Sequence, residues 1–333
     1  MQSLTPSNPS FFIAGIPVYG NRILAPMDGY SDQPFRSVAR KLGSAMIYTE
    51  FINALEIVWR NKKFARRCLF SETERPVAIQ IFDDNPIRLT ASAISIVEQF
   101  SPDMIDINMG CSVNHVANRG AGAGLLQNPK KVGAIIANLT HELNIPITAK
   151  IRLGWDQDSI NYLEVGKQIE GNGASMIALH ARTKAQMFKG SIDLDAIANL
   201  KQTLTIPVLG NGDLTTNAEI ENMLSYTKCD AVLIGRIAIK NPWIFAGYDF
   251  EEVPLSLYLS TVREHFSAMV DFFGPDRGCV GFRKFAKKYL TNKGIGKAKV
   301  RNLLTTADPS LFAEKFETLL QWIEAGNRDY DLE

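Results

Sequence analysis

The chain has almost no net charge. Thirty-six Lys and Arg residues stand against 35 Asp and Glu, leaving +1 with histidine neutral. A uniformly basic surface is therefore excluded, and any basic face must be local. Cysteine is scarce: Cys68, Cys111, Cys229 and Cys279 lie far apart and form no C-x-x-C pair. That argues against a disulfide framework or a metal site and fits a reducing compartment, so a cytoplasmic protein is expected. No run reaches the roughly 18 apolar residues that a membrane-spanning helix needs. The first basic residue is Arg22, so the N-terminus lacks the charged start of a secretory signal and the Arg-rich character of a transit peptide. Internal repeats and low-complexity stretches are also missing.

What is present is alternation. Eight short β-branched or apolar runs recur along the 333 residues: Arg22–Ala25, Met46–Thr49, Val77–Phe82, Met104–Asn108, Ile147–Ile151, Ser175–Leu179, Ile206–Leu209 and Ala231–Ile234. Helical patterns separate them. Asn128-Pro129 and the Thr216/Glu219 spacing read as helix starts. Strands alternating with helices imply parallel βαβ units, and eight in a row suit a closed (β/α)8 TIM barrel over residues 1–248. Past residue 245 the strand-like runs stop. Apolar residues then recur at helical spacing: Leu255, Leu259, Val262, Phe266, Met269; Phe282, Phe285, Tyr289; Phe312, Phe316, Leu319, Leu320, Ile323. Residues 253–333 are accordingly expected to form a small all-helical C-terminal domain.

Barrel chemistry collects where strands end. The eight runs carry or end in Pro26-Met27-Asp28, Thr49-Glu50, Gln80, Asn108-Met109-Gly110-Cys111, Lys150 with Arg152, His180 with Arg182, Asn211-Gly212-Asp213, and Gly235-Arg236. An inward lysine such as Lys150 needs an anionic partner or a shifted pKa. It reads either as the cation beside a bound electron-rich ring or as a Schiff-base nucleophile. Glycines after the last two strands, with Arg236, fit a phosphate site. Three cysteines read as buried and inert. Cys111 sits in a glycine-rich loop at the active rim, where its thiol reads as nucleophile or general acid.

Taken together, the order APMDGYSDQPFR, YTEF, AIQIF, DINMGCSVNHVANRGAGAGLL, AKIRLGW, LHARTKAQMFKG, LGNGD and LIGR resembles the tRNA-dihydrouridine synthases, and is nearer their bacterial B-type branch. The resemblance runs from about residue 20 to 245. It implies FMN as prosthetic group, NADPH (or NADH) as reductant and reduction of the C5=C6 bond of uridines in the D-loop of tRNA. By that likeness Pro26, Met27 and Asp28 line the flavin, Gln80 meets its pyrimidine side, Lys150 lies beside N1 and O2, and His180 belongs to the same site. Asn211, Gly212, Asp213, Gly235 and Arg236 match the phosphate side. Cys111 matches the catalytic acid, with Asn108 on the substrate side; Arg152 and Arg182, at the ends of the fifth and sixth runs, are expected on the substrate side as well. Three departures stand out: Ser112 where a proline follows the catalytic cysteine, Asp28 where a smaller residue is common, and HARTKAQ in place of a histidine-glycine-arginine start.

The tRNA partner has its own signal. Between Asp276 and Asp308 no acidic residue occurs, while nine basic ones do. Arg283/Lys287 and Lys284/Lys288 form i,i+4 pairs of like charge, which repel unless an anion such as phosphate neutralises them. A second basic stretch, Arg60, Lys62, Lys63, Arg66 and Arg67 with Trp59 and Phe64, follows the second strand. A monomer is expected. Rival readings are an FMN barrel acting on a free pyrimidine or other small molecule, a phosphosugar aldolase or isomerase using Lys150, and a non-catalytic RNA-binding module.

Overall fold

The computed structural model describes residues 8–58 and 62–327, without the side chains of 58, 62 and 63. Trp59 and Arg60 of the second basic stretch, and the side chains of Lys62 and Lys63, thus lie outside the described residues. Two compact units divide at Gly235/Arg236.

The first unit contains the strands β1 (Phe11–Ile13), β2 (Ile16–Val18), β3 (Arg22–Leu24), β4 (Ile47–Tyr48), β5 (Ile52–Asn53), β6 (Val77–Phe82), β7 (Met104–Met109), β8 (Ile147–Arg152), β9 (Met176–His180), β10 (Val208–Asn211) and β11 (Ala231–Ile234). Neighbours in β3, β4 and β6–β11 pair in parallel, and β4 closes the ring by pairing with both β3 and β6. This is the expected eight-stranded barrel, and β5 adds a two-residue flank beside Ile81 and Phe82. Every residue of β6, β7 and β9 is buried, because the barrel lining takes one face and the outer helices the other.

Helix starts are fixed by short polar caps. Asn128 Oδ1 accepts the Lys131 N–H at 3.0 Å ahead of Pro129. Thr216 and Glu219 form the reciprocal capping box that their spacing implies. One further cap, Asn85 Oδ1 accepting from Arg88 N at 3.0 Å, starts the helix Pro86–Phe100.

Period-two alternation sorts the lining into a dry floor and a polar mouth. Ile23, Tyr48, Ala78, Met104, Met176, Ala178, Leu209, Ala231 and Leu233 form one buried cluster with Phe11, Ile13 and Val18. The hairpin β1–β2 therefore plugs the end at which β7, β9 and β11 begin. One layer up, the inward positions become Gln80, Asn108, Lys150, His180 and Asn211. The registers Asn108↔Lys150, Arg152↔His180 and Asn211↔His180 bring them to the C-terminal end of the barrel.

The second unit starts at Arg236. Three 3-10 turns, Arg236–Ile239, Pro242–Ala246 and Phe250–Glu252, precede the helices Leu255–Phe273, Pro275–Asn292, Lys297–Thr305 and Pro309–Glu324. The division falls earlier than the expected 248/253 boundary because Trp243 belongs to the helical core. It is fully buried, with its ring centroid 5.2 Å from Tyr258 and 5.9 Å from Tyr289, and its Nε1 donates to Thr261 Oγ1 at 3.0 Å. Phe282, Phe285, Phe312, Phe316 and Leu320 are buried as expected, whereas Leu255, at the helix start, is exposed. No helix among the described residues is long and apolar enough to cross a membrane.

Candidate active site

The mouth is built around β7 and the loop that follows it. Cys111 is half-buried there. Asn108 shapes the turn: its Oδ1 accepts the backbone N–H groups of Gly110 at 3.1 Å and Cys111 at 2.8 Å. The loop then doubles back, and Ala123 N–H donates to the Cys111 carbonyl at 3.1 Å. Gly122 makes that return possible. Its φ is +53°, and a Cβ there would lie 2.9 Å from the Cys111 carbonyl oxygen and 3.0 Å from Cys111 Cβ. Burial pushes the Cys111 thiol up, opposed by the Val113 N–H and the positive charges of Arg152 and Lys150. The sulfur is therefore held as a protonated thiol at neutral pH.

Across the interior, Lys150 Nζ donates to Asn211 Oδ1 at 3.0 Å, and Asn211 Nδ2 donates to the Leu233 carbonyl at 2.8 Å. No carboxylate among the described residues forms an ion pair with Lys150. Burial, followed by repulsion from Arg152, pushes it from its ordinary 10.5 down to about 7. A half-buried ammonium with two unused donors at a polar mouth is a site for an anion. Gln80 is fully buried between neighbours: its Nε2 donates to Asp106 Oδ2 at 2.6 Å and its Oε1 accepts from Asn108 Nδ2 at 2.9 Å. Asp106 has no counterpart among the sequence candidates. The signal for it was a carboxylate inside the apolar strand DINM, two positions from Asn108 and so on the same face.

The phosphate-side candidates are mixed. A Cβ on Gly235 would find Ala25 and Met27 no closer than 3.9 Å, so this part of the rim has room for a group to approach the backbone. Gly212 has φ +139° and a Cβ there would strike Ile192 Cγ2 at 2.6 Å, so glycine is required by packing as well. Asp213 follows with φ +44°, and its carboxylate pairs with Arg182. Arg236 is exposed and opens the second unit. At the first strand's end, Pro26 and Met27 are half-buried and Asp28 is exposed. The Met27 N–H is taken by Ser31 Oγ at 2.9 Å, while Glu50 Oε1 accepts the Gly29 N–H at 2.6 Å.

Two expected substrate residues, Arg152 and Arg182, hold the loop beside the mouth. Arg152 is buried and donates to the carbonyls of Gly110 (2.8 Å), Thr183 (2.9 Å) and Met187 (2.8 Å). Arg182, also buried, donates to the carbonyls of Lys189 (3.1 Å) and Gly190 as well as to Asp213. Both guanidinium groups thus brace the loop 183–190, because buried carbonyls without strand partners need donors. That loop presents exposed Met187 and Phe188, the latter ring 5.6 Å from Arg152 Cζ and 6.1 Å from the buried His180 ring.

In the helical unit the basic candidates also divide. Arg283 donates to the Thr306 carbonyl at 2.7 Å and Lys284 Nζ lies 4.8 Å over the Phe285 ring. Lys287 is exposed and Lys288 half-buried. Among the described residues no group of three or more His, Cys, Asp or Glu side chains is placed to hold a metal ion.

Comparison with known proteins agrees with this geometry. The family model "Dihydrouridine synthase (Dus)" matches residues 23–321. A probable tRNA-dihydrouridine synthase of Aquifex aeolicus (strain VF5) is 36% identical over 282 residues, covering 83% of this chain and 88% of that protein. A tRNA-dihydrouridine synthase B of Pectobacterium carotovorum is 34% identical over 313 residues, 91% of this chain and 96% of that one. Among solved structures, histamine dehydrogenase from Rhizobium sp. 4-9 shares the fold. Its TM-score is 0.58 at 11% identity, and the match covers 96% of this chain and 64% of that protein. A barrel with a thiol loop facing a lysine-bearing mouth, matched over nearly its whole length, places the chain in the dihydrouridine synthase family.

Proposed function

We infer that this protein is a tRNA-dihydrouridine synthase, a flavin-dependent oxidoreductase acting on tRNA uridines. We assign FMN as its flavin, NADPH as its reductant, D-loop uridines as its targets and the cytoplasm as its location. The observation that carries the reading is that the Cys111 loop and Lys150 share one polar mouth, Lys150 standing in register with Asn108 on the neighbouring strand.

The mouth fits the cofactor on its donor chemistry. Lys150 would stand by the pyrimidine side of the ring, where a nearby cation favours the anionic reduced form. His180 would flank the ring with Gln80 in the layer behind it, and the backbone of Asn211–Asp213 with Gly235 would take the phosphate. When bound, FMN supplies hydride to uracil C6. Asn108 would orient the uracil, and the Cys111 thiol would donate its proton to C5, leaving a thiolate that recovers a proton from water. Burial keeps that thiol protonated between turnovers, as a general acid requires. A uracil reaching this depth must leave its base stack.

Cys111→Ala tests the assignment. It should lower dihydrouridine formation on tRNA by about a hundredfold or more, the usual scale for a missing general acid. FMN binding and reduction by NADPH should remain. Wild-type turnover in that variant rules out the role of Cys111.

A further inference from the structure

Asp106 is fully buried, faces the barrel interior and takes no part in the reaction as described. Its oxygens are both engaged: Oδ2 accepts from Gln80 Nε2 at 2.6 Å and Oδ1 from Thr148 Oγ1 at 2.5 Å. Beyond Gln80, Asn108 Nδ2 donates to Gln80 Oε1 at 2.9 Å, and Asn108 Oδ1 meets the Gly110 and Cys111 N–H groups. Two side chains, Gln80 and Asn108, thus link a buried carboxylate to the backbone of the thiol loop.

The direction of this chain is forced from its far end. A backbone N–H only donates. Asn108 must therefore turn its oxygen to the loop and its NH2 towards Gln80. Gln80 must answer with oxygen, which turns its own NH2 towards position 106. Only an acceptor at that point completes the sequence without two buried NH2 groups confronting each other, a mismatch that costs as much as a lost buried hydrogen bond.

We propose that Asp106 is a positioning residue that sets the polarity of the Gln80–Asn108 amide pair and thereby holds the Gly110–Cys111 backbone in the shape that presents the thiol. Its functional weight rests on Cys111 being the proton donor; the positioning itself does not. Burial pushes the Asp106 carboxyl up to about 6, against hydrogen bonds from Thr148 and Gln80 and the charge of Lys150, so it is ionised and accepting at neutral pH.

Isosteric exchange separates polarity from packing. Gln80→Glu puts two carboxyl groups face to face. Adding Asp106→Asn turns that contact into an amide-to-carboxylate hydrogen bond with the same net charge as wild type, and leaves an acceptor for Asn108. The readout is the alkylation rate of Cys111 by iodoacetamide at pH 8, followed by peptide mass spectrometry on the purified protein. Gln80→Glu should shift the rate about tenfold, the scale of one buried hydrogen bond. The pair Asp106→Asn/Gln80→Glu should return it to within about twofold of wild type, and Thr148→Val, which leaves the Gln80 contact in place, should stay within the same range. A double variant no closer to wild type than Gln80→Glu, or an equal shift in Thr148→Val, overturns the proposal. If the rates follow expectation but wild-type protein forms no dihydrouridine in tRNA, the positioning stands and the reaction assignment falls.

Discussion

Lys150 and Cys111 owe their behaviour to burial more than to any partner. An unfolded lysine titrates near 10.4, whereas burial holds Lys150 at about 7. Between those values the unfolded chain binds more protons than the folded one, so stability rises with pH through that window. An anion at the mouth reverses the shift and returns the proton. FMN binding to the cofactor-free protein at pH 8 should therefore take up about one proton or somewhat less, measured by calorimetry in buffers of different ionisation enthalpy. Lys150→Met should abolish the uptake; an unchanged uptake in that variant would assign the titrating group elsewhere. Residue types at strand ends were legible because alternation and the barrel rule fix which side chains point inward. The duties of Arg152 and Arg182 were not. Spacing places a guanidinium at the rim, but only the course of the loop 183–190 shows that its donors face carbonyls.

At the scale of elements, the loop after β7 is held by contact rather than by regular pairing. Gly122→Ala brings a methyl group against the Cys111 carbonyl and Cβ at a backbone angle unfavourable for alanine. The loop must move, so turnover should fall about tenfold or more while the melting temperature drops by only a few degrees, as expected for about 1 kcal/mol of strain. Equal turnover in the variant would mean that the loop's course does not set the reaction rate. The eight barrel strands were readable to within one or two residues, since each is a short apolar run flanked by turn signals. The hairpin β1–β2 was not, because Phe11–Ile13 and Ile16–Val18 stand outside the strand–helix alternation that marks the barrel units. Its cue was the turn at Ala14-Gly15, both with positive φ. The buried ring cluster around Trp243 likewise escaped the helical pattern, because that tryptophan sits in a five-residue 3-10 turn. His265, inside the same aromatic core, is pushed down to about 3 by burial and stays neutral beside Tyr289 Oη at 3.0 Å. It is a packing residue.

For the whole molecule, near-neutral composition conceals a basic helix. Lys287→Glu with Lys288→Glu should weaken tRNA binding and flatten its salt dependence by about two units of log–log slope. Flavin absorbance should stay unchanged. Unaltered tRNA affinity at several salt concentrations would remove the helix Pro275–Asn292 from the RNA contact.

The hydrocarbon seal formed by the N-terminal hairpin has a kinetic meaning for the proposed reaction. A barrel corked at one end has a single doorway. In that reaction the nicotinamide donor and the nucleobase would use it in succession, and electrons would wait inside the protein between one visitor's departure and the next one's arrival.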